Sequence, residues 1–166
     1  MERNAGAMVL EALWRMDLNP GDHVVEIGFG PGVALEALAS VVTTGHVTGI
    51  DPSALMQRRA AARNDAAILE GRMTLVEGVA GLLPFDDASF DAALAIDTLH
   101  FWPDPLAGVL EVRRVLRPGA CFLCAFTPPS GATRAGIFDL FKLAGLTDIL
   151  PAESSAGFTL AGRKPD

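Results

Sequence analysis

Val24-Val25-Glu26-Ile27-Gly28-Phe29-Gly30-Pro31-Gly32 decides how the rest of the chain reads. A short apolar run that ends on glycine fits a strand buried on both faces. Gly28, Gly30 and Gly32 then recur at every second position, so the backbone can approach a ligand with no Cβ in between. Val33 to about Val42 continues as a helix. Its opening turn directs unpaired N–H groups at the same spot, which favours an anionic group there. The stretch therefore predicts a small-ligand site at the carboxyl end of a central strand.

Working outward toward the N-terminus, Asn19-Pro20-Gly21-Asp22 is a turn, and Ala5 to Leu18 reads as an amphipathic helix. Met8, Leu10, Ala12, Leu13 and Met16 supply its apolar positions, and Glu11 and Arg15 stand four residues apart as an expected ion pair. Downstream, His46 to Asp51 reads as a second strand. Pro52-Ser53 opens a helix that frays near Asn64-Asp65 and ends at Gly71, with Arg58, Arg59 and Arg63 on a solvated face. Met73 to Glu77 and Phe90 to Ile96 are the next strands. Leu106 to Leu116 is a helix with Glu111, Arg113 and Arg114 outward, Pro118-Gly119 a turn, and Ala120 to Phe126 a fifth strand. After the loop Thr127 to Arg134, stiffened by Pro128-Pro129, come a helix from Ala135 to Ala144 and two short strands, Thr147 to Leu150 and Gly157 to Arg163. Strands alternating with helices predict an α/β fold: a doubly wound, mostly parallel, Rossmann-like sheet of about seven strands with helices on both faces. A single domain over residues 1–166 is expected, with the N-terminal helix at 5–18 and the core at 23–163.

Composition narrows the partners. The formal net charge of −7 and sequence pI of about 4.9 argue against a nucleic-acid partner, which needs a basic footprint. No apolar run approaches the roughly 18 residues of a membrane span, and Met1-Glu2-Arg3-Asn4 opens no secretory signal, so a cytoplasmic location is expected. A mean hydropathy of +0.33 leads us to expect an apolar surface patch, with a homodimer face as its simplest use. Cys121 and Cys124 lie three apart in an apolar strand, so their thiols face opposite sides and read as core groups rather than a metal or redox pair.

Asp51 follows Gly32 by 19 residues and closes the second strand. A carboxylate about 20 residues beyond such a turn is placed to accept from ribose hydroxyls, though an Asp before Pro-Ser also suits the start of the next helix. Glu26 puts a second acid two residues before Gly28, which suits an ammonium or sulfonium better than a pyrophosphate. That acid and the G-x-G-x-G spacing count against a nicotinamide dehydrogenase. His100-Phe101-Trp102 follows Asp97 at the end of the fourth strand; His100 is either an orienting or basic group or a loop histidine packed by its aromatic neighbours.

Glu26-x-Gly28-x-Gly30-x-Gly32, then Asp51, then Leu83-Pro84-Phe85-x-x-x-Ser89-Phe90-Asp91, then Leu116-Arg117-Pro118-Gly119-Ala120 resembles the class I S-adenosylmethionine-dependent methyltransferases, in the broad group acting on small molecules. The resemblance runs from about Asn19 to Phe126, and Gly157 to Pro165 is similar to that family's closing strand. It implies S-adenosyl-L-methionine as cofactor, S-adenosyl-L-homocysteine as product and a small-molecule methyl acceptor. Glu26 would hold the methionine ammonium. Gly28, Gly30 and Gly32 would carry the cofactor across the turn with Phe29 lining it. Asp51 would bind the ribose, and Pro52 and Met56 would pack near adenine or ribose. Gly78-Val79-Ala80 would border adenine, with Val79 standing where the family often has an Asp that accepts from the adenine amino group. Asp97 would lie near the methionine part, and His100, Phe101 and Trp102 would face the acceptor. The alternative is a methyltransferase-like subunit that binds or dimerises without catalysis.

Overall fold

The computed structural model describes residues 2–128 and 134–166. Its strands are β1 His23–Ile27, β2 His46–Asp51, β3 Met73–Glu77, β4 Phe90–Ile96, β5 Leu116–Phe126, β6 Thr147–Ser154 and β7 Gly157–Arg163. They form one sheet in the order β3-β2-β1-β4-β5-β7-β6. The helices are α1 Glu2–Met16, α2 Val33–Val41, α3 Ala54–Arg63, α4 Asp65–Leu69, α5 Pro105–Val115 and α6 Ile137–Leu143, with one 3-10 turn at Leu99–Phe101.

From β3 to β5 every pairing is parallel, and β1 sits between β2 and β4. The chain leaves β1 toward one side and later returns on the other, which opens a crevice at the carboxyl end of β1. The sheet is mixed rather than simply mostly parallel: β7 runs antiparallel to both β5 and β6. The reason is local, since β6 and β7 are joined by a tight hairpin instead of a crossover helix.

Alternation along the strands loads both faces. Val25, Ile27, Ala93, Phe122 and Cys124 join α5 and α6 in one core layer, while Val24, Leu94, Cys121 and Leu123 join α1 and α2 in the other. The two thiols thus back different layers, as the period of two requires. On α1, Met8, Ala12 and Met16 are buried, whereas Leu10 and Trp14 stay 69% and 83% exposed. The expected Glu11–Arg15 pair does not form. Arg15 reaches the Leu150 carbonyl at 3.0 Å and the Thr159 hydroxyl, and Glu11 pairs with the Ser154 hydroxyl. Fixed acceptors on the β6–β7 hairpin outweigh an exposed helix pair worth about 0.2–0.5 kcal/mol.

Several boundaries differ from expectation, α1 running from Glu2 to Met16 rather than over 5–18. β5 starts at Leu116, so Arg117-Pro118-Gly119 lies inside the strand; the register jumps from Phe90↔Leu116 to Ala92↔Cys121. A bulge with Gly119 at φ 76° absorbs the turn residues without ending the pairing. β6 runs on to Ser154 because β7 pairs with it throughout. α6 starts at Ile137, after Gly136 in the left-handed region. Residues 129–133 of the loop between β5 and α6, including Pro129, lie outside the described residues.

The break between α3 and α4 at Asn64 has a purpose. The buried Asn64 amide donates to the Ala60 carbonyl at 3.0 Å and to the Gly32 carbonyl at 3.1 Å. The helix interruption thereby fixes the end of the glycine turn.

Candidate functional site

The three glycines of the turn do different work. All have positive φ, 76° at Gly28, 53° at Gly30 and 82° at Gly32. A Cβ on Gly28 would lie 2.1 Å from the Thr98 hydroxyl, and one on Gly32 would lie 2.8 Å from the Ala60 Cβ. Those two positions are closed by packing of the turn against the end of β4 and against α3. A Cβ on Gly30 would meet nothing within 4 Å. Its bare side opens onto a cavity of about 340 Å³.

That cavity is lined by Glu26, Gly28, Phe29, Gly30, Asp51, Asp97 and Phe101, all anticipated in the sequence. It also includes Val9 from α1, Pro31, Val33 and Ala34 from the start of α2, and Ile96 and Thr98 flanking Asp97. Gly32 does not line it and acts through α3 instead. Phe29 is buried, its ring filling the space beside Gly49, so only its edge borders the cavity.

Two carboxylates face this space in contrasting states. Asp51 Oδ2 accepts from the Gly30 N–H at 3.0 Å and Oδ1 from the Ser53 N–H at 2.9 Å. Each oxygen keeps acceptor capacity for a further donor. The cap of α3 is Ser53, whose hydroxyl accepts from the Met56 N–H; Asp51 forms the bend leading into it. Glu26 is 2% exposed, and its Oε2 has no hydrogen-bond partner. Burial, reinforced by the nearby Asp51 charge, raises its pKa from 4.5 to about 8. Burying a carboxyl with an unpartnered oxygen is costly, and a group perturbed in this way at a cavity wall is a candidate functional residue.

The segment after β4 runs between this cavity and a second one and lines both. Asp97, at φ 52°, accepts from both the N–H and the hydroxyl of Thr127 at 2.7 Å, tying the ends of β4 and β5 together. Phe101 is 75% exposed and faces the first cavity. His100 is also exposed, with its ring centroid 4.0 Å from Phe101 and 6.1 Å from Phe126, and it lines the second cavity with Phe126 and residues of α6. Trp102 departs from expectation. It is 9% exposed, its indole N–H donates to the Thr98 hydroxyl at 3.3 Å, and its ring lies where a side chain on Gly108 would be. Only the absence of a side chain at Gly108 lets the indole tuck under α5, so Trp102 supports the segment rather than facing an acceptor.

Pro52, Met56, Gly78, Val79 and Ala80 stand outside the cavity lining. Pro52 is exposed and Met56, in the first turn of α3, is half-buried, and the Gly78 N–H lies 3.4 Å from the Asp51 carbonyl. Val79 is 49% exposed and bridges to Leu82. This loop is held by residues that sequence reasoning assigned to a solvated helix face. Glu111 accepts from the Leu83 N–H at 2.9 Å, and Arg114 donates to the Leu83 and Phe85 carbonyls and to Asp87 at 2.8–2.9 Å. Hydrogen bonding from Arg114 holds the Glu111 carboxyl below its ordinary range. The spacing of Glu111 and Arg114, three apart on one helix face, was the available signal.

A third depression of about 400 Å³ lies at the amino-terminal end of the strands. Its two arginines are engaged: Arg117 pairs with Asp91, and Arg163 donates to the Gly119 carbonyl at 2.8 Å. Among the described residues no group of three or more His, Cys, Asp or Glu is placed to hold a metal ion, and no helix is long and apolar enough to cross a membrane.

Comparison with known proteins gives a family and a fold. Residues 25–124 match a family described as a methyltransferase domain. Cycloartenol-C-24-methyltransferase 1 of Oryza sativa subsp. japonica is 32% identical over 157 residues, covering 87% of this chain and 45% of that protein. An O-methyltransferase of Pyrenophora dematioidea is 36% identical over 115 residues, covering 68% and 42% respectively. The chain thus spans less than half the length of these two curated relatives. In fold it is similar to an Aquifex aeolicus protein whose structure is described as a SAM-dependent methyltransferase, with a TM-score of 0.83, 20% identity and coverage of 94% of this chain and 89% of that one.

Proposed function

Because this chain belongs to the class I S-adenosylmethionine-dependent methyltransferases, we propose that its glycine-turn cavity holds S-adenosyl-L-methionine and that the protein transfers the methyl group to a small-molecule acceptor. The observation that carries this reading is Glu26, a buried carboxyl with an unpartnered oxygen at the cavity wall, set beside a second carboxylate with acceptor capacity to spare. The residues present fit the cofactor. Glu26 is matched by its ammonium, Asp51 by its ribose hydroxyls, and the open side of Gly30 by its close passage over the turn.

When bound, the cofactor supplies a sulfonium methyl with a good leaving group, leaving S-adenosyl-L-homocysteine behind. What the chain supplies is alignment. Asp51 and Glu26 fix the two polar ends, while the Asp97–Thr127 tie and the buried Trp102 hold the Asp97–Trp102 segment rigid at the mouth. Orientation of this kind lowers a barrier by up to about 7–11 kcal/mol without a strong base. Pro52, Met56, Gly78, Val79 and Ala80 border the adenine end in this reading. Val79 offers no acceptor to an adenine amino group, so that end is held by shape and by backbone.

The test has two arms. Calorimetry with S-adenosyl-L-homocysteine is expected to give saturable binding. Incubation of the protein with S-adenosyl-L-methionine and a panel of small acceptors is expected to give S-adenosyl-L-homocysteine and methylated acceptor. Binding with no turnover on any acceptor would instead support a subunit that acts without catalysis; no binding would refute the cofactor assignment.

A further inference from the structure

We propose that the second cavity, beside His100, receives an uncharged, largely apolar acceptor and presents the acceptor's one hydroxyl to the His100 imidazole. This inference rests on the cofactor reading above. The cavity measures about 340 Å³ and is lined by Leu99, Pro105, Phe126, Ile137 and Leu140, with His100 as the only titratable side chain among its described lining residues. A charged acceptor placed there would lose its hydration with no opposite charge to replace it, at a cost of several kcal/mol. A neutral one is stabilised in proportion to the apolar surface it buries. At the ~30 Å³ that a water molecule occupies in the liquid, the volume holds about eleven non-hydrogen atoms. A bicyclic aromatic alcohol fits this size, while a much larger lipid would leave most of itself outside.

Adjacency to the cofactor cavity comes from the 3-10 turn Leu99–Phe101. Its consecutive side chains line different spaces: His100 the apolar cavity and Phe101 the glycine-turn cavity, with the two rings 4.0 Å apart. The turn is anchored on both sides. Asp97 grips Thr127, the residue after Phe126, and Trp102 is locked by Thr98 and by the bare Gly108. His100 therefore stands at the shared rim of the two cavities, where a hydroxyl reaching past Phe101 would approach a methyl group held over the glycine turn. In the step it serves, the acceptor oxygen forms the new O–CH₃ bond and the S–CH₃ bond breaks, its electron pair staying on sulfur. The hydroxyl proton passes to the imidazole and then to solvent.

The probe is 2-naphthol, titrated calorimetrically into the protein saturated with S-adenosyl-L-homocysteine, with 2-naphthoate as the charged control. Naphthol is expected to bind and naphthoate to bind at least about tenfold more weakly, the tenfold equivalent of ~1.4 kcal/mol. Ala135→Phe fills the cavity from an exposed turn position that tolerates substitution. It is expected to abolish naphthol binding while leaving S-adenosyl-L-homocysteine binding unchanged. His100→Gln is expected to keep the naphthol Kd within about threefold and to lower turnover on naphthol by a factor of about 10²–10⁴. Failure of naphthol to bind the saturated protein overturns the assignment, as does naphthol binding that survives Ala135→Phe. Undiminished turnover in His100→Gln, or bound naphthol that is never methylated, also overturns it. Absence of S-adenosyl-L-homocysteine binding in the first step would instead strike the cofactor reading itself.

Discussion

Replacing Glu26 with Gln should stabilise the ligand-free protein, and the gain should depend on pH. Native Glu26 holds its proton up to about pH 8, whereas the unfolded chain releases it near 4.5. Between those values the native state binds more protons than the unfolded state, so stability falls as pH rises. The favourable contribution is fully present below 4.5 and is lost as pH passes through about 8. At ~1.4 kcal/mol per pH unit the loss reaches about 3 kcal/mol at pH 7 and about 5 kcal/mol above pH 8. Gln has the same shape and does not titrate. Glu26→Gln should therefore match the wild type near pH 4.5 and exceed it by about 5 kcal/mol at pH 8.5. For a chain of this length that is on the order of 10–20 °C in Tm. Urea unfolding of both proteins without ligand, at several pH values between 4.5 and 8.5, reads the difference directly. A difference that stays constant with pH would refute the claim that this carboxyl is buried without a partner. A cationic ligand should reverse the balance. Its binding at pH 7 should ionise wild-type Glu26 and release about 0.9 proton, the fraction still protonated one unit below its pKa. Calorimetry in buffers of different ionisation enthalpy counts that proton.

Gly28→Ala and Gly30→Ala should separate packing from binding. The former drives a methyl into Thr98 and should cost about 2–4 kcal/mol of stability in a denaturant melt. The latter meets open space, so it should cost about 1–2 kcal/mol while obstructing cofactor binding in a titration. Val79→Asn, which supplies a neutral acceptor, should raise affinity for S-adenosyl-L-methionine roughly two- to tenfold, the worth of one neutral hydrogen bond. Asp97→Ala removes two charge-assisted bonds to Thr127 and should lower stability by about 3 kcal/mol or more, seen as a drop in Tm.

The glycine-turn cavity was legible because its signals are local. Glu26, the alternating glycines and Asp51 each sit at the end of a strand whose apolar run is unmistakable, and topology alone brings those ends together. The aromatic triplet was not legible in the same way. His100, Phe101 and Trp102 look alike in sequence, and their three destinations follow from a single 3-10 turn and a missing side chain at Gly108 on the next helix. Gly32 was read as a ligand contact, but its neighbours Ala60 and Asn64 are some thirty residues away and belong to packing. The start of β5 was hidden for a different reason. Pro118-Gly119 is a turn by local rules, and only pairing with β4 and the bond from the Gly119 N–H to the Lys164 carbonyl at 2.8 Å keep the strand continuous through it. The Glu111–Arg114 pair is marked locally by its spacing of three, but its grip on the Leu83–Asp87 loop spans nearly thirty residues and is not.

The most direct test of the cofactor site is to titrate S-adenosyl-L-homocysteine into the wild type and into Asp51→Ala by calorimetry, with Tm recorded to confirm that the variant is folded. One-to-one binding by the wild type is expected, weakened about 100-fold or more in the variant by loss of two charged acceptors worth about 1.5–3 kcal/mol each. Equal affinity in both proteins, or no binding to the wild type, would contradict the placement of the nucleoside over the glycine turn.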